Sequence, residues 1–417
     1  MSEYIDRLSL QYILSYTIVG ISSLQKHLKD GWEKGMSEDS ISDNRMLAET
    51  VRRFIREKLA IHEAKIDAED DVDPELIQDL KQQAIALGLF AYNMPEALGG
   101  PGLSVTEQSI IDEELGRTSM PLAEVFGHLP GSLNFVSGMQ RAWLSEPLMK
   151  AEKNVAYALT EPSAGSDLSA IHTRAIRAEG GWVLHGTKHF ISAVERADFL
   201  IVLVATDKSA PLKGRFSTFI VEKNTPGFKV LRRFRKMGWR GHPLSEISFE
   251  DCFVPDTHVL GEIGQGFEIM MRTINNDRLM VACRCVGIAQ ALYELVLPHI
   301  RDRHTFGKPL AEHQAIQFML ADCDVDIDAA RLLNQKAARL ADAKDPEFRI
   351  AASRAKLFAS EMGGRVADRV LQMFGGAGYM ADLPVERFYR DVRAFRIGEG
   401  TSEMQRLQIA RHALMNN

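Results

Sequence analysis

The run FLIVLVAT, residues 199–206, lies between two aspartates and decides the fold class of this chain. It is short, apolar and rich in β-branched residues, which predicts a buried strand. Two further runs have the same character, STFIVEK from Ser217 and LSEISFED from Leu244. No helical pattern alternates with these runs, so the sequence favours an antiparallel sheet or barrel over a parallel nucleotide-binding sheet.

Helical patterns flank this strand-rich block on both sides. Before it, apolar residues recur at steps of three and four over residues 47–59, which predicts an amphipathic helix. After it, two long stripes do the same over residues 316–340 and 350–371, and the second is rich in small residues. Long helices joined by short loops are typical of an antiparallel bundle. Pro298 predicts a kink or break near Leu297.

These patterns predict an α+β protein with three domains and an extension. Residues 36–155 form an N-terminal helical domain, 156–267 a middle β domain and 268–417 a C-terminal helical bundle. The sequence leaves the status of the extension, residues 1–35, open between an interfacial or partner helix and a segment without a role. Its apolar stretch is too short to span a bilayer, and MSEDSISDNR from Met36 resembles a natural start. We expect no membrane span.

Composition and charge exclude several classes of protein. The chain has 417 residues, 45% hydrophobic and 25% charged, which is ordinary for a globular protein. A formal net charge of -6 leaves no basic excess for a phosphate backbone, so we expect no nucleic-acid partner. Four unevenly spaced cysteines form no disulfide framework, which favours a cytoplasmic location. Cys283 and Cys285 are an isolated pair, so we expect no metal site.

Three segments are dense in chemically useful residues, whereas nucleotide-binding and hydrolase motifs such as GxxxxGK[ST] and GxSxG are absent from the sequence. YALTEPSAGSD, residues 157–167, offers backbone N–H groups and hydroxyls to phosphates or a polar ring. RHTFGKP, residues 303–309, places a cation, an aromatic ring and a glycine between two predicted helices. QMFGGAGY, residues 372–379, leads to IGEGTSE, where two glycines let the Glu399 carboxylate approach a ligand closely.

Together these segments resemble the FAD-dependent acyl-CoA dehydrogenase family. ALTEPSAGSD, RHTFGKPLAEHQAIQ, QMFGGAGY and PVERFYRDVR with EGTSE occur in the family's order and at its spacing, and the resemblance covers residues 42–413. It implies an N-terminal helical domain, a middle β domain and a C-terminal four-helix bundle. It also implies a homotetramer, a dimer of dimers, with FAD lying across a subunit boundary. Electron-transfer flavoprotein is the electron acceptor that the resemblance implies.

The resemblance also implies cofactor contacts at individual residues. The flavin ring would rest against Tyr157, Leu159, Thr160 and Ser166, with Phe190 and Ser192. The pyrophosphate and adenine end would be held from the neighbouring subunit by Arg303, Thr305, Phe306, Gln372, Gly375 and Gly376. Arginine suits a phosphate because its guanidinium is a fork of donors. Further flavin-side positions are His313, Gln314, Thr401 and Glu403.

Glu399 matches the family's catalytic base. The implied reaction is α,β-dehydrogenation of an acyl-CoA thioester to the trans-2-enoyl-CoA, in which a base takes the weakly acidic α-proton while the β-hydride leaves for flavin N5. Desolvation in the closed site should raise the basicity of the carboxylate. The implied substrate contacts are Ser166, Asn275, Arg278, Gly398 and Gly400.

Two positions leave alternatives open. One branch of the family carries its base where this chain has Asp277, but Asp is one methylene shorter than the glutamate of that branch, and Glu399 is present. Asp277 is otherwise a helix-borne acid paired with Arg278 or another cation. Gly398 stands where many straight-chain members have an aromatic residue, which predicts a wider acyl pocket.

Other functions also stay open on the same fold. One is altered flavin chemistry, in the enoyl-CoA reductase direction, as an oxidase or as a monooxygenase; retention of Glu399 argues against the last. Another is a catalytically silent scaffold, which loss of the base or of the flavin loops would indicate. This sequence has lost neither.

Overall fold

A computed structural model of the chain describes residues 38–415, and the extension predicted for residues 1–35 lies outside them. The described chain forms two compact units. We name them the helical unit, which contains residues 38–65, 104–119 and 278–415, and the sheet unit, which contains residues 66–103 and 120–277. The α+β fold class is confirmed, whereas the three predicted domain boundaries stay a prediction.

Helices dominate both ends of the described chain. In chain order they are α1 (Glu38–Phe54), α2 (Glu63–Glu69), α3 (Pro74–Ala86), α4 (Val105–Leu115), α5 (Met120–Ala123), α6 (Gly138–Gln140), α7 (Glu146–Met149), α8 (Leu212–Arg215), α9 (Gly266–Asp302), α10 (Gln314–Asp342), α11 (Phe348–Phe374), α12 (Gly376–Tyr379), α13 (Val385–Val392) and α14 (Ser402–Met415). Short π or 3-10 turns lie at Ile55–Leu59, Ala60–His62, Glu96–Leu98, Glu124–Phe126, Gly131–Phe135, Arg141–Ser145, Leu168–Ala170, Asp256–His258, Leu310–Glu312 and Arg393–Arg396.

The strands form one large sheet and one small hairpin. They are β1 (Val155–Ala158), β2 (Arg174–Ala178), β3 (Gly181–Ser192), β4 (Phe199–Ala205), β5 (Phe216–Glu222), β6 (Phe228–Arg233), β7 (Leu244–Pro255), β8 (Val259–Leu260), β9 (His304–Thr305) and β10 (Lys308–Pro309). The sheet has the order β6-β7-β3-β2-β4-β5-β8, with β1 paired to β4, and β9 pairs with β10.

The strand that the sequence predicts most clearly is β4. Every residue of β4 is buried, as its unbroken apolar sequence predicts. Most neighbouring strands are antiparallel, which agrees with the prediction, but β1 and β2 both run parallel to β4. The sheet is therefore mixed, because the chain crosses over before it enters β4, and a strand's own sequence does not carry that information.

Small residues allow close packing in the helical unit. In this unit α11 packs against α10, α13 and α14. A Cβ at Gly363 of α11 would lie 2.8 Å from the Val392 Cγ2 of α13, so only glycine permits this approach. The stripe of small residues predicted for residues 350–371 thus serves helix packing.

The helix α9 differs from expectation at Pro298, which lies inside it, and the helix continues to Asp302. Of the predicted kink or break near Leu297, the break is wrong: Val296, His299 and Ile300 are buried, and this packing outweighs one lost hydrogen bond. The kink stays a prediction. Among the described helices, α9 is also long and apolar enough to cross a membrane, but 78% of its apolar window is buried, as in a core helix.

Candidate active site

Glu399 lies in the turn between the Arg393–Arg396 segment and α14. Its φ is 53° and that of Gly400 is 87°, so both residues are in the left-handed region. A non-glycine residue in that region is uncommon and costs about 1–3 kcal/mol. The surrounding structure must therefore hold the Glu399 backbone in place.

Buried side chains from three helices bind the two carbonyl oxygens of this turn. Arg278 of α9 donates from Nε to Glu399 O at 3.3 Å. Gln405 of α14 donates from Nε2 to Glu399 O at 3.3 Å and to Gly400 O at 2.9 Å. Lys356 of α11 donates from Nζ to Gly400 O at 2.6 Å. All three donor residues are buried, and we name them the turn clamp.

Burial and neighbouring charged groups set the pKa of Lys356. Burial lowers the pKa of this amine from 10.5 to about 8, while Cys285 and the Glu399 carboxylate oppose the shift and Arg278 adds to it. The Glu399 carboxylate therefore favours the charged form of Lys356. The predicted catalytic residue Glu399 and the predicted substrate residues Gly400 and Arg278 come together here, next to Gly398.

A buried ion pair supports the second predicted segment, in the sheet unit. Lys188 of β3 lies with Nζ 2.9 Å from Glu161 Oε1 and donates to Leu159 O at 2.8 Å. The Glu161 carboxylate also accepts the N–H groups of His172 at 2.7 Å and Thr173 at 3.0 Å. One carboxylate thus ties both ends of the loop that follows β1.

The pKa values of this pair follow from burial and charge. Burial lowers the pKa of Lys188 to about 8, and Glu161 opposes that shift. Burial alone would raise the pKa of Glu161, but the Lys188 ammonium and the hydrogen bonds hold it below its usual value. Glu161 is therefore an ionised anchor for the loop.

The loop meets the end of β3, where other flavin contacts are predicted. Thr160 O accepts the His189 N–H at 2.8 Å, which brings the two predicted flavin segments of the sheet unit together. Phe190 is exposed and has a φ of 60°, where a bulge interrupts the pairing of β3 with β7. Ser192 ends the strand. Tyr157 and Leu159 are half-buried, and Ser166 is exposed.

The remaining predicted cofactor residues lie in the helical unit. Phe306, with a φ of 51°, is at the tip of the β9–β10 hairpin and 99% exposed. Thr305 Oγ1 lies 3.1 Å from the Nε2 of His313, the residue before α10. The residues Arg303, Gln314, Gln372, Gly375, Gly376 and Glu403 are exposed, and Thr401 is half-buried.

These residues fit a flavin dinucleotide chemically. The exposed Arg303 forms no salt bridge with any described residue, so its donor fork can serve a pyrophosphate. A Cβ at Gly375 or Gly376 would meet nothing within 4 Å, which leaves room for close backbone approach. Phe190 adds an exposed aromatic face in the sheet unit.

Asp277 has a partner that the sequence analysis did not name. Its Oδ1 lies 3.1 Å from His128 Nε2, and His128 Nδ1 lies 3.1 Å from the Tyr92 hydroxyl. The interpretation of Asp277 as a paired acid agrees with this contact, and its partner is the imidazole of His128. Asn275 is half-buried.

Sequence reasoning missed Lys356, Gln405 and Lys188. Lys356 carried a usable signal, because it lies within a run of small and apolar residues at a spacing that predicts burial. Gln405 and Lys188 carried none, since a single polar residue near a helix start or in a strand is common.

Comparison with known proteins identifies the class. Family models for the N-terminal, middle and C-terminal domains of acyl-CoA dehydrogenases match residues 42–134, 156–252 and 264–414. The mitochondrial short-chain specific acyl-CoA dehydrogenase of Rattus norvegicus is 37% identical, over 89% of this chain and 90% of that protein. The cyclohex-1-ene-1-carbonyl-CoA dehydrogenase of Syntrophus aciditrophicus is also 37% identical, over 89% and 90%.

A solved structure agrees with these matches. Butyryl-CoA dehydrogenase from Megasphaera elsdenii superimposes with a TM-score of 0.83 at 34% identity, covering 89% of this chain and 98% of that chain. Fold and sequence together define an oxidoreductase that acts on acyl-CoA. The chain belongs to the acyl-CoA dehydrogenase family, whose members are FAD flavoproteins.

Proposed function

We propose that this protein catalyses FAD-dependent α,β-dehydrogenation of an acyl-CoA thioester to the trans-2-enoyl-CoA, with Glu399 as the base. The observation that carries this proposal is the left-handed Glu399 backbone, held by the turn clamp. Strain of this kind persists only where surrounding contacts enforce it, and it concentrates at functional sites. The family resemblance of EGTSE around Glu399 supports the same role.

Each group of this chain has a definite task in the proposed reaction. The Glu399 carboxylate takes the α-proton onto an oxygen atom, while its backbone N–H donates to the developing enolate oxygen. One such donor is worth on the order of 3 kcal/mol. FAD, when bound, accepts the β-hydride. Tyr157, Leu159, Thr160, Ser166, Phe190 and Ser192 would hold its ring.

We propose a wide acyl pocket at Gly398. A Cβ built on this residue meets only Ala394 O, at 3.8 Å, so the chain leaves open space beside the base. The Syntrophus relative is named for a cyclic acyl-CoA, which supports branched or cyclic acyl groups as substrates here.

We propose that the protein is a homotetramer. Phe318, Val325 and Leu332 are exposed and recur every seventh residue along α10, a spacing that aligns apolar side chains in a helix–helix seam. Second copies of this chain would cover that stripe and the exposed Phe306. The residues Arg303, Thr305, Phe306, His313, Gln314, Gln372, Gly375, Gly376, Thr401 and Glu403 would complete the FAD site across a subunit boundary.

The electron acceptor that we propose is an electron-transfer flavoprotein, on the strength of the family resemblance. We also propose a cytoplasmic location. All four cysteines are free thiols in the described structure, which suits a reducing compartment.

Anaerobic flavin absorbance tests the proposed function. Wild-type holoenzyme should bleach on addition of butyryl-CoA or cyclohexanecarbonyl-CoA. Glu399→Gln should keep its flavin bands and bleach at least about a thousandfold more slowly, since no carboxylate can take the α-proton. Asp277→Asn is the matched control and should bleach normally.

Three outcomes would contradict the proposed function. Bleaching of Glu399→Gln at the wild-type rate would remove Glu399 as the base. Loss of bleaching in Asp277→Asn would place the base on α9 instead. Rapid reoxidation of the bleached enzyme by oxygen would indicate an oxidase.

A further inference from the structure

Lys356 is a buried cation that stability alone does not explain. The side chain is fully buried on α11 and forms no salt bridge with any described residue. Placing a charge in the interior without a paired carboxylate is unfavourable, and a methionine of similar length would avoid that penalty. A further role must therefore account for a lysine here.

Its hydrogen bond goes to the residue directly after Glu399. Lys356 Nζ and Gln405 Nε2 bind the same oxygen, Gly400 O, at 2.6 and 2.9 Å. Both φ angles of the Glu399–Gly400 pair are positive, so the turn would relax if that oxygen were released. A charge-assisted hydrogen bond is comparable in strength to the cost of one left-handed residue. The ammonium can therefore offset a large part of the backbone strain in this turn.

We propose that Lys356 is a positioning residue for α-proton abstraction: its ammonium fixes the Gly400 carbonyl, and so the backbone of Glu399, and its charge keeps the Glu399 carboxylate ionised. This inference rests on the proposed function, because it takes Glu399 as the base. The α-proton moves from the substrate carbon to a Glu399 oxygen, and Lys356 transfers no proton in this step.

Four neighbouring groups affect the pKa of Lys356. The groups that act on Lys356 are Cys285 and Arg278 of α9, Glu361 of its own helix and Glu399 itself. Burial raises the pKa of Cys285 to about 12, so the thiol is neutral.

Glu361 is committed elsewhere, since it pairs with Arg396 at 3.0 Å and with Arg406 at 3.8 Å. Arg278 stays charged at all relevant pH values. Replacing Lys356 by methionine therefore removes one positive charge beside the Glu399–Gly400 turn, while Arg278 keeps its charge.

The test measures α-proton exchange separately from hydride transfer. The holoenzyme is incubated in D2O with 3-thiabutyryl-CoA, whose sulfur atom replaces the β-carbon and so leaves no β-hydride. Mass spectrometry follows deuterium uptake at the α-carbon across a pH series. Lys356→Met removes the charge and the donor at similar length, and Lys356→Arg restores both. Flavin absorbance and melting temperature show that each variant is folded and loaded.

The expected result has two parts. Exchange by Lys356→Met should be about tenfold to a hundredfold slower, because the base is misplaced, with ligand affinity within about twofold. The acid limb of its pH profile should move to higher pH, because loss of a nearby cation raises the pKa of Glu399. Lys356→Arg should recover most of the rate and the wild-type acid limb.

Gln405→Leu separates geometry from charge and serves if Lys356→Met does not fold. It removes the amide that donates to Glu399 O and Gly400 O and leaves the ammonium in place. Exchange should slow while the acid limb stays where it is in the wild type. Wild-type exchange and an unmoved acid limb in Lys356→Met, with Glu399→Gln inactive, would overturn this inference alone. Normal exchange in Glu399→Gln would overturn the proposed function as well.

Discussion

Lys188 Nζ lies 2.9 Å from Glu161 Oε1, and the exposed fractions of the two side chains are 0% and 3%. The pair joins β3 to the loop after β1, where flavin contacts are proposed. Because both charges are buried, each needs the other to offset the free-energy cost of leaving water. The conformation of the loop in turn needs both charged side chains.

Breaking this pair should destabilise the sheet unit. Lys188→Met leaves the Glu161 carboxylate buried without its cation, and we expect a loss of about 3–5 kcal/mol in the free energy of unfolding. Urea unfolding and the fraction of bound FAD measure the effect. Lys229→Met is the control, because its ion pair with Glu250 is exposed and should contribute less than about 1 kcal/mol. A Lys188→Met variant as stable as the control would contradict this expectation.

The preference of the enzyme for bulky acyl groups should depend on Gly398. Gly398→Tyr fills the space beside the base, so we expect kcat/KM for cyclohexanecarbonyl-CoA to fall at least about tenfold relative to that for butyryl-CoA. Gly398→Ala adds little volume and should keep the wild-type ratio. Equal losses on both substrates in Gly398→Tyr would show that the residue does not set acyl width.

Acid stability should depend on Glu294. Arg117 Nη1 lies 2.7 Å from its Oε2; burial alone would raise the pKa, but this guanidinium lowers it to about 2. The folded pKa is below the unfolded value, so the stabilisation is complete above about pH 4.5 and is lost as the pH falls toward 2.

Glu294→Gln should therefore narrow the difference in urea midpoint between about pH 6 and pH 3. Glu268→Gln alters an exposed pair with Arg272 and should leave that difference as in the wild type. An unchanged difference in Glu294→Gln would mean that other carboxylates control acid unfolding.

Assembly should depend on the apolar stripe of α10. Val325→Glu places a charge in the proposed seam, and light scattering should show a smaller molar mass with reduced FAD content. Ile61→Glu is a close control, because Ile61 and Val325 are both 68% exposed but only Val325 lies on α10. Equal masses for the two variants would place the interface elsewhere.

The sequence predicts well those elements whose secondary structure follows from the pattern of their own residues. β4 is apolar throughout, and α10 and α11 carry long stripes, so their existence follows from local pattern. The parallel pairing of β1 with β4 and the passage of α9 through Pro298 depend on packing by distant residues.

The candidate site also contains some residues that the sequence predicts and others that it does not. Glu399 was found because its neighbours form a motif, but Lys356 lies 44 residues before Gly400 and meets it only after folding. His128 and Asp277 are 149 residues apart, so no local pattern could pair them.

The Glu161 carboxylate accepts the N–H groups of both His172 and Thr173. The intervening loop is therefore an exchangeable module. Because one carboxylate holds both ends of the loop, changes of length or sequence between these ends should alter the structure of the loop alone. We expect residues 162–171 to be transplantable between relatives that keep this acid, which offers a route to graft altered flavin environments onto a fixed scaffold.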